Sequence, residues 1–120
     1  MFKRKIGTIL AVCLALSAVT IAQARNIAGK WKAQGSREGQ TITIDFDFKV
    51  SGESLSGTAY RVQFNQVLQI HNGKIHGNQI SFDTGDVGFN YAGTIEGDQL
   101  NIRMSGGTQD PTDLIAKRAK

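Results

Sequence analysis

The sequence predicts an all-β protein, in which eight antiparallel strands run as an up-and-down meander and close into a small barrel. Three observations carry that expectation. Residues 41–50 alternate strictly, with every even position apolar and every odd one polar, the period of a strand with one buried and one wet face. Turn signals built from Gly with Asn, Asp or Ser recur through the chain, which holds 14 glycines and one proline, Pro111. Beyond the N-terminal segment, no stretch shows a comparable helical period.

The N-terminal segment reads as an export signal. Lys3, Arg4 and Lys5 precede an apolar run from Ile6 to Ile21, and the run ends at Ala22-Gln23-Ala24, with small residues at −3 and −1 of a cut. Cleavage is expected near Ala24-Arg25, giving a secreted or periplasmic product. A retained membrane anchor fits less well, because Gly7, Thr8, Ser17 and Thr20 interrupt a run shorter than the roughly 20 apolar residues a span needs. No stable membrane span is expected after cleavage. A lipoprotein signal would place a cysteine after a small residue, but Val12 precedes Cys13. The processed product then has no cysteine, hence no disulfide, thiolate nucleophile or Cys-based metal site.

The whole-chain charge of +4 owes much to the leader. Arg25 to Lys120 carries 11 Lys and Arg against 10 Asp and Glu, a net of +1. No basic run follows the leader, which argues against nucleic acid as a partner. Residues 25–120 suffice for one domain with a modest core.

The strands are expected over 29–34, 40–50, 54–62, 66–76, 79–84, 87–96, 99–105 and 112–118, with a bend near Gly73. An internal repeat supports the hairpins. Gly73-Lys74-Ile75-His76-Gly77-Asn78-Gln79-Ile80-Ser81-Phe82 aligns with Gly93-Thr94-Ile95-Glu96-Gly97-Asp98-Gln99-Leu100-Asn101-Ile102 at an offset of 20. Each copy reads strand, two-residue turn, strand. Ser51-Gly52-Glu53-Ser54 is a looser version, and Gly85-Asp86 supplies another turn. Segments 35–39 and 106–111 read as loops at a barrel mouth. Short links place sequence neighbours side by side, and closure removes the free edges of the sheet. A two-sheet sandwich would need longer cross-overs. Alternation assigns the interior to Ile42, Ile44, Phe46, Phe48, Val50, Leu55, Phe64, Ile80, Phe82, Phe89, Tyr91, Ile95, Leu100, Ile102 and Met104. Eight strands enclose room for these side chains to meet, or for one small ligand.

Gly29-Lys30-Trp31 opens the first strand, and Lys117-Arg118 lies in the last. In this the chain resembles the calycin group of lipocalins, fatty-acid-binding proteins and avidins. The resemblance implies a small calycin-like barrel, closed structurally by Gly29, Trp31 and Arg118, with the guanidinium across the indole face. Leu55-Ser56-Gly57-Thr58-Ala59-Tyr60 is similar to the third strand of avidins. The disulfide pair of many lipocalins is missing, and Trp31 is the only tryptophan, so biotin binding is not implied.

Few polar residues suggest chemistry. His71 and His76 are the only histidines. Their separation of five puts them on opposite faces of one strand, unless the bend at Gly73 shifts the phase. Asp83 or Asp86 could join them, but a zinc site needs three or four converging ligands. Asp45 and Asp47 share a wet face roughly 7 Å apart, without a calcium-loop pattern. Neither Ser81 nor Ser105 sits in a recognisable nucleophile motif, and Glu96 and Asp98 flank a turn. The pattern therefore calls for no catalytic residue, metal or cofactor. Ligand-pocket candidates are Phe46, Phe48, Arg61, Phe89 and Tyr91. Tyr60, Gln63, Asn65, Gln66, Gln69 and Asn90 are candidates for a polar rim.

Two readings stay open beside that of an enzyme, which would bring polar groups together inside the barrel. One is an exported lipocalin-like barrel that binds a small apolar or amphiphilic ligand. The other is a packed, non-enzymatic barrel acting through its surface on an envelope protein partner, as an interaction or inhibitor protein.

Overall fold

The structure, a computed structural model, describes residues 27–85, 89–107 and 109–119. The expected leader, its cleavage site and Asp86 lie outside these residues.

The described chain is an eight-stranded antiparallel barrel in meander order, as the alternation predicts. Its strands are β1 (Gly29–Arg37), β2 (Gln40–Ser51), β3 (Ser54–Arg61), β4 (Gln66–Gln69), β5 (His71–His76), β6 (Gln79–Asp83), β7 (Asn90–Glu96), β8 (Gln99–Gly106) and β9 (Gln109–Arg118). β4 and β5 share one place in the wall. β4 pairs with residues 58–61 of β3, and β5 with Ser54 and Leu55. Each other strand pairs with its sequence neighbours, and β1 pairs with β9 to close the ring.

The wall departs from the sequence expectation in detail. β1 continues to Arg37, and β8 and β9 reach Gly106 and Gln109, so the segments read as loops are mostly strand. The break in the fourth stave falls at Ile70, and a register shift lies between His71 and Lys74. That shift resets the phase. His71 stands opposite Asp83 and His76 opposite Gln79, which puts both histidines on the outer surface. The repeated turns close two hairpins, with Gly77 at φ 62° and Gly97 at φ 63°.

Most inward positions are apolar and buried, whereas outward ones carry Lys30, Lys32, Asp45, Asp47 and Lys117. This polarity is the reverse of a lipid-embedded barrel's. Among the described residues no helix is long and apolar enough to cross a membrane. The interior is solid. Phe46, Phe48, Phe82 and Tyr91 form one ring cluster, with Phe46 on Phe48 at 5.1 Å and Phe82 on Tyr91 at 4.8 Å, both stacked. Phe46 meets Phe82 and Tyr91 edge to face at 5.6 and 5.8 Å. Small residues on β3 make room for these rings, since Ala59 stands opposite Phe46 and Gly57 opposite Phe48. Ile27, Ala33, Ile75, Leu114 and Ala116 join the core beyond the residues that alternation assigned to it.

Phe64 corrects that assignment. It lies in a 3-10 turn over Val62–Phe64, between β3 and β4, and is 64% exposed. The alternation that places side chains inside ends at Arg61.

Candidate functional site

The two ends of the barrel differ. At one end the chain before β1 folds across the opening. Ile27 is fully buried there, and Trp31 Nε1 donates to the Ile27 carbonyl at 2.8 Å. The Arg118 guanidinium lies over the indole, with Cζ 4.5 Å from the ring centroid, and donates to the Ala28 carbonyl at 2.9 Å. A Cβ on Gly29 would approach that guanidinium to 3.1 Å. Indole, guanidinium and backbone together plug this end.

The other end is an open mouth. It is bounded by the β1–β2 turn, the 3-10 turn and the start of β7, and it holds a cavity of about 420 Å³. Ile42, Ile44, Phe89 and Met104 supply apolar lining, and Arg37, Glu38 and Arg61 supply charge. Of the pocket candidates, Arg61 and Phe89 line this cavity. Phe46, Phe48 and Tyr91 pack among the rings of the interior and do not line it. A larger trough of about 1,160 Å³ crosses the outside of β5–β9, where Ser81, Ala92 and Thr94 lower the surface. It is an outer wall open to solvent, without the enclosed apolar lining typical of ligand sites.

Arg61 is the central polar group of the mouth. In β3, Leu55 and Ala59 point inward and are buried, and Arg61 follows in the same phase. Its Cζ lies 4.2 Å from the Phe64 ring centroid and 5.0 Å from that of Phe89. Its NH1 donates to Gln66 Oε1 at 3.2 Å. Such contacts hold a long side chain in one pose and lower the entropy cost of binding.

The 3-10 turn that carries Phe64 is pinned from both sides. Gln63 Nε2 donates to the Thr41 carbonyl at 2.6 Å, and its Oε1 accepts from the Thr43 N–H at 3.2 Å. Asn65 takes a left-handed conformation, φ 48°, and accepts from the Tyr60 hydroxyl at 2.8 Å. Most of the expected polar rim is thus occupied in holding the turn. Asn90 and Gln69 are exposed on strands. Asp83, at the end of β6, ties Asn72 to Gly85. It accepts from Asn72 Nδ2 at 2.8 Å and from the Gly85 N–H at 2.9 Å. These bonds, Asn72's foremost, hold its carboxyl below the usual range.

Beneath the mouth, the Tyr91 hydroxyl is buried and finds no hydrogen-bond partner among the described residues. Burial pushes its pKa up to about 12, against a smaller opposing effect of the Arg61 charge. An unfolded tyrosine ionises near pH 10 while the folded one keeps its proton. Tyr91 therefore leaves stability unchanged below pH 10 and lowers it as pH rises from about 10 to 12, by roughly 3 kcal/mol in all. Denaturation across that range should show the loss in the wild type and not in Tyr91→Phe. At neutral pH the same variant should be as stable or about 1 kcal/mol more so, since it removes a buried hydroxyl without a partner.

Among the described residues no group of three or more His, Cys, Asp or Glu could hold a metal ion. No protein-family model, curated protein or solved structure matches the chain. The fold that stands in place of such a match is the closed eight-stranded antiparallel barrel, with an architecture consistent with the calycin-like barrels.

Proposed function

We propose that this is an exported barrel, secreted or periplasmic, that binds a small amphiphilic ligand in its open mouth. One observation carries the reading. The mouth cavity sets Ile42, Ile44, Phe89 and Met104 beside inward-pointing Arg61, and about 420 Å³ falls within the roughly 300–1,000 Å³ range of small-molecule sites. Export is supported by the leader's pattern. The calycin-like architecture adds only analogy.

A second reading has its own support. The interior is filled by aromatic rings, and Phe64 at the mouth and Val67 on β4 are 64% and 61% exposed. A packed barrel acting on an envelope partner would present such a patch. Native mass spectrometry of the protein purified gently from its own secreting host separates the two readings. A ligand-binding barrel is expected to carry a reproducible non-covalent adduct, whose mass limits the ligand class. A bare protein peak across independent preparations would overturn the ligand reading in favour of the surface-acting one.

A further inference from the structure

We infer that Arg61 makes the mouth selective for a compact amphiphile that carries an oxyanion, whether carboxylate, sulfonate or phosphate. The inference rests on the mouth being the ligand site and adds the chemistry of what it takes. A guanidinium is weakly hydrated on its two faces and donates hydrogen bonds only around its edge. Here Cζ lies over the rings of Phe64 and Phe89, 4.2 and 5.0 Å from their centroids, so the cation sits against apolar surface at the mouth. Among the described residues, Arg61 donates only to Gln66 and pairs with no carboxylate. A fixed fork of donors beside apolar rings matches a planar or tetrahedral oxyanion, and the rings reduce the screening by water.

Two other charges line the mouth. Arg37 lines the same cavity and donates to Thr112 Oγ1 at 3.0 Å, which fixes a second cation at the rim. Glu38 lines it too, from the β1–β2 turn. Below, the buried Tyr91 hydroxyl has no partner among the described residues and lies within the electrostatic reach of Arg61. The ligand must be compact, because Phe46, Phe48, Phe82 and Tyr91 occupy the interior and leave no channel for a long chain. Its apolar part lies against Phe64 and Phe89 at the rim.

Two fluorescent probes isolate the anion. 1-Anilinonaphthalene-8-sulfonate and N-phenyl-1-naphthylamine share one ring system and differ in the sulfonate. Titrated into the purified protein, the sulfonate is expected to bind at least about tenfold more tightly. Its affinity should weaken as ionic strength rises from about 0.05 to 0.5 M, with a much smaller change for the neutral probe. Arg61→Gln should lower the ratio of the two affinities at least about tenfold, while Arg61→Lys keeps part of the salt-sensitive preference. An unchanged ratio in a folded Arg61→Gln protein would overturn the inference and leave the mouth as a ligand site. If that variant does not fold, salt-insensitive binding of the sulfonate to the wild type would overturn it equally. Binding of neither probe would overturn the reading of the mouth as a ligand site, and this inference with it.

Discussion

Truncating Phe46 to alanine is expected to cost about 3–5 kcal/mol of unfolding free energy, as read from urea titration. Three contacts set that size. Phe46 stacks on Phe48 and meets Phe82 and Tyr91 edge to face, and it is 1% exposed. Each ring pair contributes about 0.5–1.5 kcal/mol beyond the area it buries. The neighbours come from β2, β6 and β7, so the hole cannot collapse without moving three strands. A domain of this size has roughly 5–15 kcal/mol to lose, so the variant should be close to unfolding. Ile115→Ala is the control. Ile115 is 50% exposed on the outer wall, and its loss should cost no more than about 0.5 kcal/mol. A cost below about 1 kcal/mol for Phe46→Ala would mean that the interior is loosely filled, with space for ligand beneath the mouth.

Gly57→Ala should be comparably damaging for a different reason. Gly57 has φ +123°, outside the range open to a side-chain-bearing residue, which costs about 1–3 kcal/mol. A Cβ there would also overlap the Asp47 carbonyl oxygen and come within 3.3 Å of Phe48 Cα. Both contacts are backbone, so relief requires β2 to move away from β3. The melting temperature should fall by at least about 12 °C, equivalent to about 3 kcal/mol. Gly97→Ala separates the two causes. Gly97 also has positive φ, +63°, but an added Cβ would meet nothing within 4 Å, so only about 1–2 kcal/mol is expected. Equal losses at the two positions would show that conformation, not close approach of β2, is what requires glycine at 57. The test bears on the mouth as well, because the same strand carries Arg61 and fixes its inward phase.

The candidate site was only partly legible in the sequence. Arg61 and Phe89 stand out as a charged and an aromatic residue near turns, and both line the mouth. Nothing local ties them together. They lie on β3 and just before β7, and they meet because the ring of strands brings those two ends to one rim. Alternation carried past Arg61 puts Phe64 inside, whereas the chain leaves the strand there and turns. The positive φ of Asn65 marks that departure, and Asn is among the residues that tolerate it, so Phe64-Asn65 held a usable turn signal.

By itself the sequence determined the class of fold, the number of staves and the inward phase of most of them. These depend on a period of two and on turn residues, both of which are local. Tertiary structure decided what that phase could not express. A one-position register shift between His71 and Lys74 put both histidines outside. Rings from β2, β6 and β7 met inside the barrel and filled it. Whether apolar side chains enclose a cavity or close over one depends on barrel radius and cross-strand register, which arise from contacts between residues far apart in the chain. The filled interior and open mouth are therefore properties of the closed sheet.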